Sequence, residues 1–236
     1  MTTIPEIVLL PGLDGTGELF DRLVPLLDAA TRVTVLRYPA DPALGYEDYA
    51  RYVRDQIGDR NVVLLGESFS GPVAVLVAAR HPARVKGVIL AATFLQSPYA
   101  GWLVRLGARL DPCLAPGTMR DRILMGRFGD TALHSKIAEI LAAIPPGVRE
   151  ARLGAVSCVD VRKAFASLSC PILAIHGDAD WLVPKGPLER AVGRKAGARM
   201  VLLPGAAHML LQTRTRDAAE HILSFVRGID KTGGTL

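Results

Sequence analysis

One stretch restricts the fold more than any other: residues Asn61 to Ala79 read NVVLLGESFSGPVAVLVAA. Val62 to Leu65 is a short unbroken apolar run followed by turn residues. That pattern predicts a strand buried on both faces of a parallel sheet. Gly66 to Gly71 is a turn of small residues, and Pro72 to Ala79 reads as the start of an apolar helix, where a proline without an N–H is tolerated. Strand, sharp turn with a central serine, then helix is the layout of a nucleophile elbow.

The residue types fit that chemistry. A serine hydroxyl is a weak nucleophile and is presented on a tight, strained turn, so its neighbours two positions away must be small. Around Ser68 these are Gly66 and Ser70. The pattern G-x-S-x-G is thus met at its first glycine, while Ser70 stands at the second, with Gly71 one place later. Ser70 is the rival nucleophile, flanked by Ser68 and Pro72. A plain strand-loop-helix with incidental serines would look the same at this level.

The chain around it has the length for one large α/β domain, at 236 residues, half of them hydrophobic. The net charge of +5 comes from basic residues scattered among acids, with no basic run. A solvated surface accounts for it, and nucleic acid is not an expected partner. Cys113, Cys158 and Cys170 are widely spaced, the pattern of free thiols in a reducing compartment. Five scattered histidines without ligand spacing predict no metal site. The apolar run near the N-terminus stops at Pro11 and Gly12, so neither a signal peptide nor a membrane span is expected, and the protein is read as cytoplasmic.

In chain order, Ile7 to Leu10 predicts a strand and Pro11 to Gly17 (PGLDGTG) a Gly-rich turn. Glu18 to Ala30 has the spacing of an amphipathic helix, with Leu19, Leu23, Leu26 and Leu27 apolar. Val33 to Leu36 is a strand. Tyr46 to Ile57 is a helix with Tyr49, Val53 and Ile57 on one face. Val85 to Ala91 is a strand after the elbow helix. Strands alternating with helices imply a mostly parallel sheet with helices on both faces. The alternation breaks between Leu95 and Val161, where helical segments are punctuated by Pro98, Pro112, Pro116, Pro145 and Pro146. This is read as an inserted helical cap, residues 96–161 of a single domain 1–236. Tyr99, Trp102, Leu103, Leu106 and Leu110 form an apolar stripe in it, suited to core packing or to facing an acyl chain. The alternation resumes with a helix at Arg162–Leu168, a strand at Pro171–His176, a helix at Pro187–Lys195, a strand at Met200–Leu203 and a closing helix at Thr215–Val226. Asp230 to Leu236 reads as a frayed tail.

A serine nucleophile needs a base, and the base needs an orienting acid. Two strand ends offer them. Ile172 to Asp180 reads ILAIHGDAD, and Met200 to His208 reads MVLLPGAAH; each apolar strand runs into a small-residue loop with ionisable groups. His176 is assigned to turn packing, His81 to a helix end, and His134 and His221 to surface or packing roles.

With these segments in view, the chain resembles the α/β-hydrolase superfamily across nearly its whole length. The matching features are the PGLDG turn, the GESFSG elbow, the helical insert, HGDADWLVP and PGAAH, in the order Ser, Asp, His. The resemblance implies an α/β-hydrolase fold, similar to compact members of the family. By position it implies Ser68 as nucleophile, His208 as general base and Asp180 as orienting acid. Asp178, the rival acid, is assigned to the loop because the family places the acid three residues before the Val-Pro pair. The backbone amides of Leu13 and Phe69 are the implied oxyanion donors. The expected activity is hydrolysis of a small-molecule carboxylic ester or thioester through an acyl-enzyme, with no cofactor. The PGLDGTG turn is also similar to a stretch in plastid phytyl-ester synthases, which raises acyl transfer as a variant. A ligand-binding protein on a hydrolase scaffold is the alternative from another class.

Overall fold

The computed structural model describes residues 5–99, 117–145 and 147–232. Six strands form one sheet: β1 (Glu6–Leu10), β2 (Val33–Val35), β3 (Val62–Glu67), β4 (Val85–Ala91), β5 (Ile172–Gly177) and β6 (Ala198–Leu203). Their order is β2-β1-β3-β4-β5-β6, and every pairing is parallel. Alternate residues of the central strands point to opposite faces. Val8, Leu10, Leu64, Val88, Leu90 and Ala174 join one core; Ile7, Leu9, Val63, Leu65, Ile89 and Ile175 join the other. Both faces are therefore buried, which is why these strands read as continuous apolar runs.

Helices cover the two faces. On one lie α2 (Tyr46–Ile57) and α3 (Ser70–Arg80), contributing Tyr49, Val53, Ile57, Val73 and Val77. On the other lie a short α1 (Val24–Asp28) and the last helix, Thr215–Thr232, with Leu27, Ile222 and Val226 inward. The expected helix over Glu18–Ala30 is broken in two, a 3-10 turn at Glu18–Phe20 and then α1. Pro25 explains it: without an N–H it cannot bond back into a preceding turn, but it fits the first turn of a new helix. The elbow helix starts at Ser70, two residues before the expected Pro72. The last helix runs to Thr232, so the expected tail from Asp230 is helical for three residues; 233–236 lie outside the described residues.

Between β4 and β5 come α4 (Gly117–Leu124), α5 (Thr131–Ala143) and α6 (Val148–Val156); α7 (Arg162–Ser167) then leads into β5. The two ends of the insertion meet in an isolated antiparallel bridge, Gln96 with Asp160. Tyr99 belongs to the described part of the apolar stripe; Trp102, Leu103, Leu106 and Leu110 lie outside it. Met125, Leu133 and Ile137 form a third core with Met209. After β5 come α8 (Lys185–Gly193), β6, α9 (Leu210–Thr213) and the last helix, α10 (Thr215–Thr232). Among the described residues, no helix is long and apolar enough to cross a membrane.

Topology then places the site. The chain leaves β1 toward β2 on one side and returns to β3 on the other, so the strand order reverses at β1–β3. In open parallel sheets the crevice at the carboxyl ends beside such a reversal is where ligands bind. Leu10 is in register with Gly66, which sets the Pro11–Gly17 turn beside the elbow.

Candidate active site

Ser68 follows β3 directly and holds φ of 49°, the left-handed region that a side chain with Cβ occupies at a cost of about 1–3 kcal/mol. The surroundings hold it there. Its N–H donates to Ala91 O at 2.9 Å, and Thr93 Oγ donates to its carbonyl. A Cβ at Gly66 would collide with the Ser70 carbonyl, and one at Gly71 with the Thr93 side chain. Smallness is therefore enforced at 66 and at 71. Position 70 tolerates a serine because its hydroxyl is used: it donates to Pro11 O and meets Tyr38 Oη at 2.6 Å. Ser70, the rival nucleophile, thus ties the elbow to the β1 turn, and among the described residues no hydrogen bond joins it to His208.

Ser68 Oγ lies 2.8 Å from His208 Nε2, and His208 Nδ1 lies 2.9 Å from Asp180 Oδ2. Ser68, His208 and Asp180, drawn from three strand ends, stand in one hydrogen-bonded line. The other Asp180 oxygen accepts the N–H groups of Leu182 and Val183, each at 2.9 Å. Burial works against a charge on Asp180, but the His208 hydrogen bond and charge and the Val183 amide outweigh it, so its carboxyl is held below the ordinary value. Asp178 accepts the Gly205 N–H instead and braces the loop between β6 and His208.

His176 packs against the loop after its strand, and it also stands beside the acid. It is fully buried, its Nε2 is 2.9 Å from Val183 O and 3.4 Å from Asp180 Oδ2. Burial pulls its pKa down, so the neutral ring donates to Val183 O and flanks the acid. Sequence reading also missed Glu67, whose buried carboxylate accepts from Gln212 Nε2 at 2.8 Å. Its pKa is pushed up to about 7, chiefly by burial and also by Asp14, against the Gln212 hydrogen bond and the His208 charge. A Cβ at Gly12 would stand 3.4 Å from Asp14 Oδ1, 3.9 Å from Glu67 Oε2 and 4.0 Å from Ser68 Cβ. The β1 turn thus lies against the elbow.

Leu13 and Phe69 sit in those two turns. Among the described residues no hydrogen bond uses either amide, which leaves both N–H groups for a ligand. Phe69 is held by stacking on Tyr46 (centroids 4.8 Å) and by an edge contact with Tyr49 (5.4 Å). Among the described residues, no group of three or more His, Cys, Asp or Glu could hold a metal ion.

A family model described as the alpha/beta hydrolase family matches residues 7–220. The chain belongs to the alpha/beta hydrolase family. Curated relatives of comparable length include the "Pimeloyl-[acyl-carrier protein] methyl ester esterase" of Aeromonas hydrophila, 27% identical over 94% of this chain and 95% of that protein. The protein of the same name from Aromatoleum aromaticum is 28% identical over 95% and 99%. Among solved structures, a bromoperoxidase from Bacillus anthracis superposes with a TM-score of 0.84 at 20% identity, covering 95% of this chain and 92% of that one. An esterase from Exiguobacterium antarcticum superposes at 0.82 and 19% identity, covering 96% and 93%. These two likenesses carry the fold alone, since a bromoperoxidase and an esterase share it.

Proposed function

We propose that this alpha/beta hydrolase cleaves a carboxylic ester through an acyl-enzyme on Ser68. One observation carries the reading: the unbroken line Ser68 Oγ, His208, Asp180, with contacts of 2.8 and 2.9 Å. His208 takes the Ser68 proton as Oγ attacks the substrate carbonyl. The carbonyl oxygen becomes an anion held by the Leu13 and Phe69 amides. His208 then gives the proton to the leaving alcohol, and Ser68 carries the acyl group. Water repeats the sequence and releases the acid. Asp180, anionic and buried, orients the ring and stabilises its protonated form. A thioester would pass through the same steps with a thiol leaving.

Residues 96–161 are proposed to cap the site. Their helices pack on Met209, next to His208, and reach the Leu13 turn through Arg152. The names of the curated relatives make a methyl ester of an acyl chain the first substrate class to try.

The test is hydrolysis of p-nitrophenyl esters from acetate to palmitate, and of methyl esters of dicarboxylic acyl chains, beside Ser68→Ala. The variant is expected to lose roughly 10⁴–10⁶ in kcat, since the three groups act as a unit. Retained activity would sink the Ser68 assignment. Adding alcohol acceptors separates hydrolysis from transfer: free acid alone counts against transfer. A ligand bound tightly by the wild type and never consumed would favour the binding-protein alternative.

A further inference from the structure

Arg152 belongs to α6 of the insertion, yet its side chain is among the largest fully buried ones in the protein, 2% exposed. Among the described residues no carboxylate forms an ion pair with it. Its guanidinium is instead divided among neutral acceptors. Nη1 donates to Leu13 O at 2.9 Å and Asp14 O at 2.8 Å. Nη2 donates to Pro39 O at 3.2 Å, and Nε donates to Tyr49 Oη at 3.0 Å. The guanidinium also lies 5.7 Å from the Tyr49 ring centre.

A buried cation without a counter-charge is a poor device for stability, because desolvation opposes it. What it does supply is geometry. Nη1 holds two successive carbonyls of the turn that carries the Leu13 amide, while the rest of the rigid fork anchors it on Pro39 and Tyr49. The turn is shaped to admit it: Gly15 has φ of 71°, and a Cβ there would stand 2.5 Å from Nη1. The other arm reaches the second donor, because Tyr49 abuts the Phe69 ring at 5.4 Å. One side chain from the inserted helix therefore braces both turns that carry the proposed oxyanion amides.

We propose that Arg152 is a positioning residue for the oxyanion hole, and that it makes the competence of this hole depend on the seating of α6. The proposal rests on the acyl-enzyme reading above. Misplacing a donor turn by a fraction of an ångström weakens transition-state stabilisation more than ground-state binding. Arg152→Lys keeps the charge and loses the fork; Arg152→Ala opens a space that a guanidinium ion can enter.

The experiment measures ester hydrolysis and the rate of phosphonylation of Ser68 by a fluorophosphonate, whose P=O oxygen seeks the same two amides. Folding of each variant is checked by near-UV circular dichroism. Both variants are expected to lose roughly 10–100-fold in kcat and in phosphonylation rate, with KM within about threefold. Added guanidinium is expected to restore part of the Arg152→Ala rate and none of the Arg152→Lys rate. A folded Arg152→Lys with wild-type rates, or a loss confined to KM, would overturn the proposal while leaving the Ser68 reading intact. Variants that all fail to fold would assign Arg152 to stability and overturn it equally. A wild-type protein inert to esters and to the phosphonate would overturn both.

Discussion

At the scale of single residues, the strained φ of Ser68 puts stability and activity in opposition. Glycine adopts φ of 49° without the Cβ penalty. Ser68→Gly is therefore expected to raise unfolding stability by about 1 kcal/mol while abolishing turnover, the relief of strain exceeding the added entropy of the unfolded chain. Ser68→Ala keeps the Cβ and is expected to lose turnover without that gain. Urea denaturation of the two variants beside the wild type checks it; equal stabilities would mean the turn is not strained at Ser68. Which residues were legible follows from how local their signals are. Ser68, Asp180 and His208 each follow an apolar run that ends in a small-residue turn, so their placement could be read along the chain. Arg152 could not: its partners at Tyr49 and Leu13 lie 103 and 139 residues away. His176 looked like any residue at the end of a strand, and only the fold lays it beside Asp180. Ser70 looked like a second nucleophile until its hydroxyl was seen to be held by Pro11 and Tyr38.

At the scale of elements, the period of the apolar pattern predicted Tyr46–Ile57 to the residue, because nothing interrupts the amphipathic face. The same period misled over Glu18–Ala30, where Pro25 overrode it. In the insertion, prolines marked segments but not caps, and one cap joins the insertion to the main body. Asp130 caps α5 by accepting the Leu133 N–H at 2.8 Å. It also pairs with Arg22 in a fork at 2.7 and 3.0 Å. Its pKa is pulled down to about 2, first by the Arg22 hydrogen bond and then by the Leu133 amide. A carboxyl held low contributes stability above its ordinary value of 3.8 and loses it as pH falls from there toward 2. The side chain is half exposed, so solvent screening trims the ion pair and the cap dominates. Asp130→Ala is expected to lower stability by about 1 kcal/mol at pH 7, with the difference from wild type shrinking below about pH 4. Chemical denaturation across that range reads it; a deficit that persists unchanged to pH 2 would argue against an ionised cap.

At the scale of the whole molecule, the sheet brings a buried acid against the proposed catalytic crevice, and global stability should register it. Glu67 ends β3, takes a hydrogen bond from Gln212 on α9 and faces Asp14 on the β1 turn and His208 on the β6 loop. Its ordinary value is 4.5 and its folded value about 7. Between those two the folded protein holds a proton that the unfolded chain has released. The unfolded state then binds fewer protons, so stability falls as pH rises through this window and stays reduced above it. The full difference corresponds to about 3 kcal/mol. Glutamine has the same shape and no charge, and its carbonyl can accept the same Gln212 hydrogen bond. Glu67→Gln should therefore match the wild type near pH 4.5 and exceed it by about that amount near pH 8. His176, whose pKa burial lowers, adds its own pH dependence, but it does so in both proteins and drops out of the difference. Asp180, Asp130 and Asp160 are held low and act on the acid side of the window. Urea denaturation of the two proteins from pH 4.5 to 8 measures the divergence directly. Parallel curves would mean that Glu67 is ionised throughout and that Gln212 alone suffices to hold a charge behind the elbow.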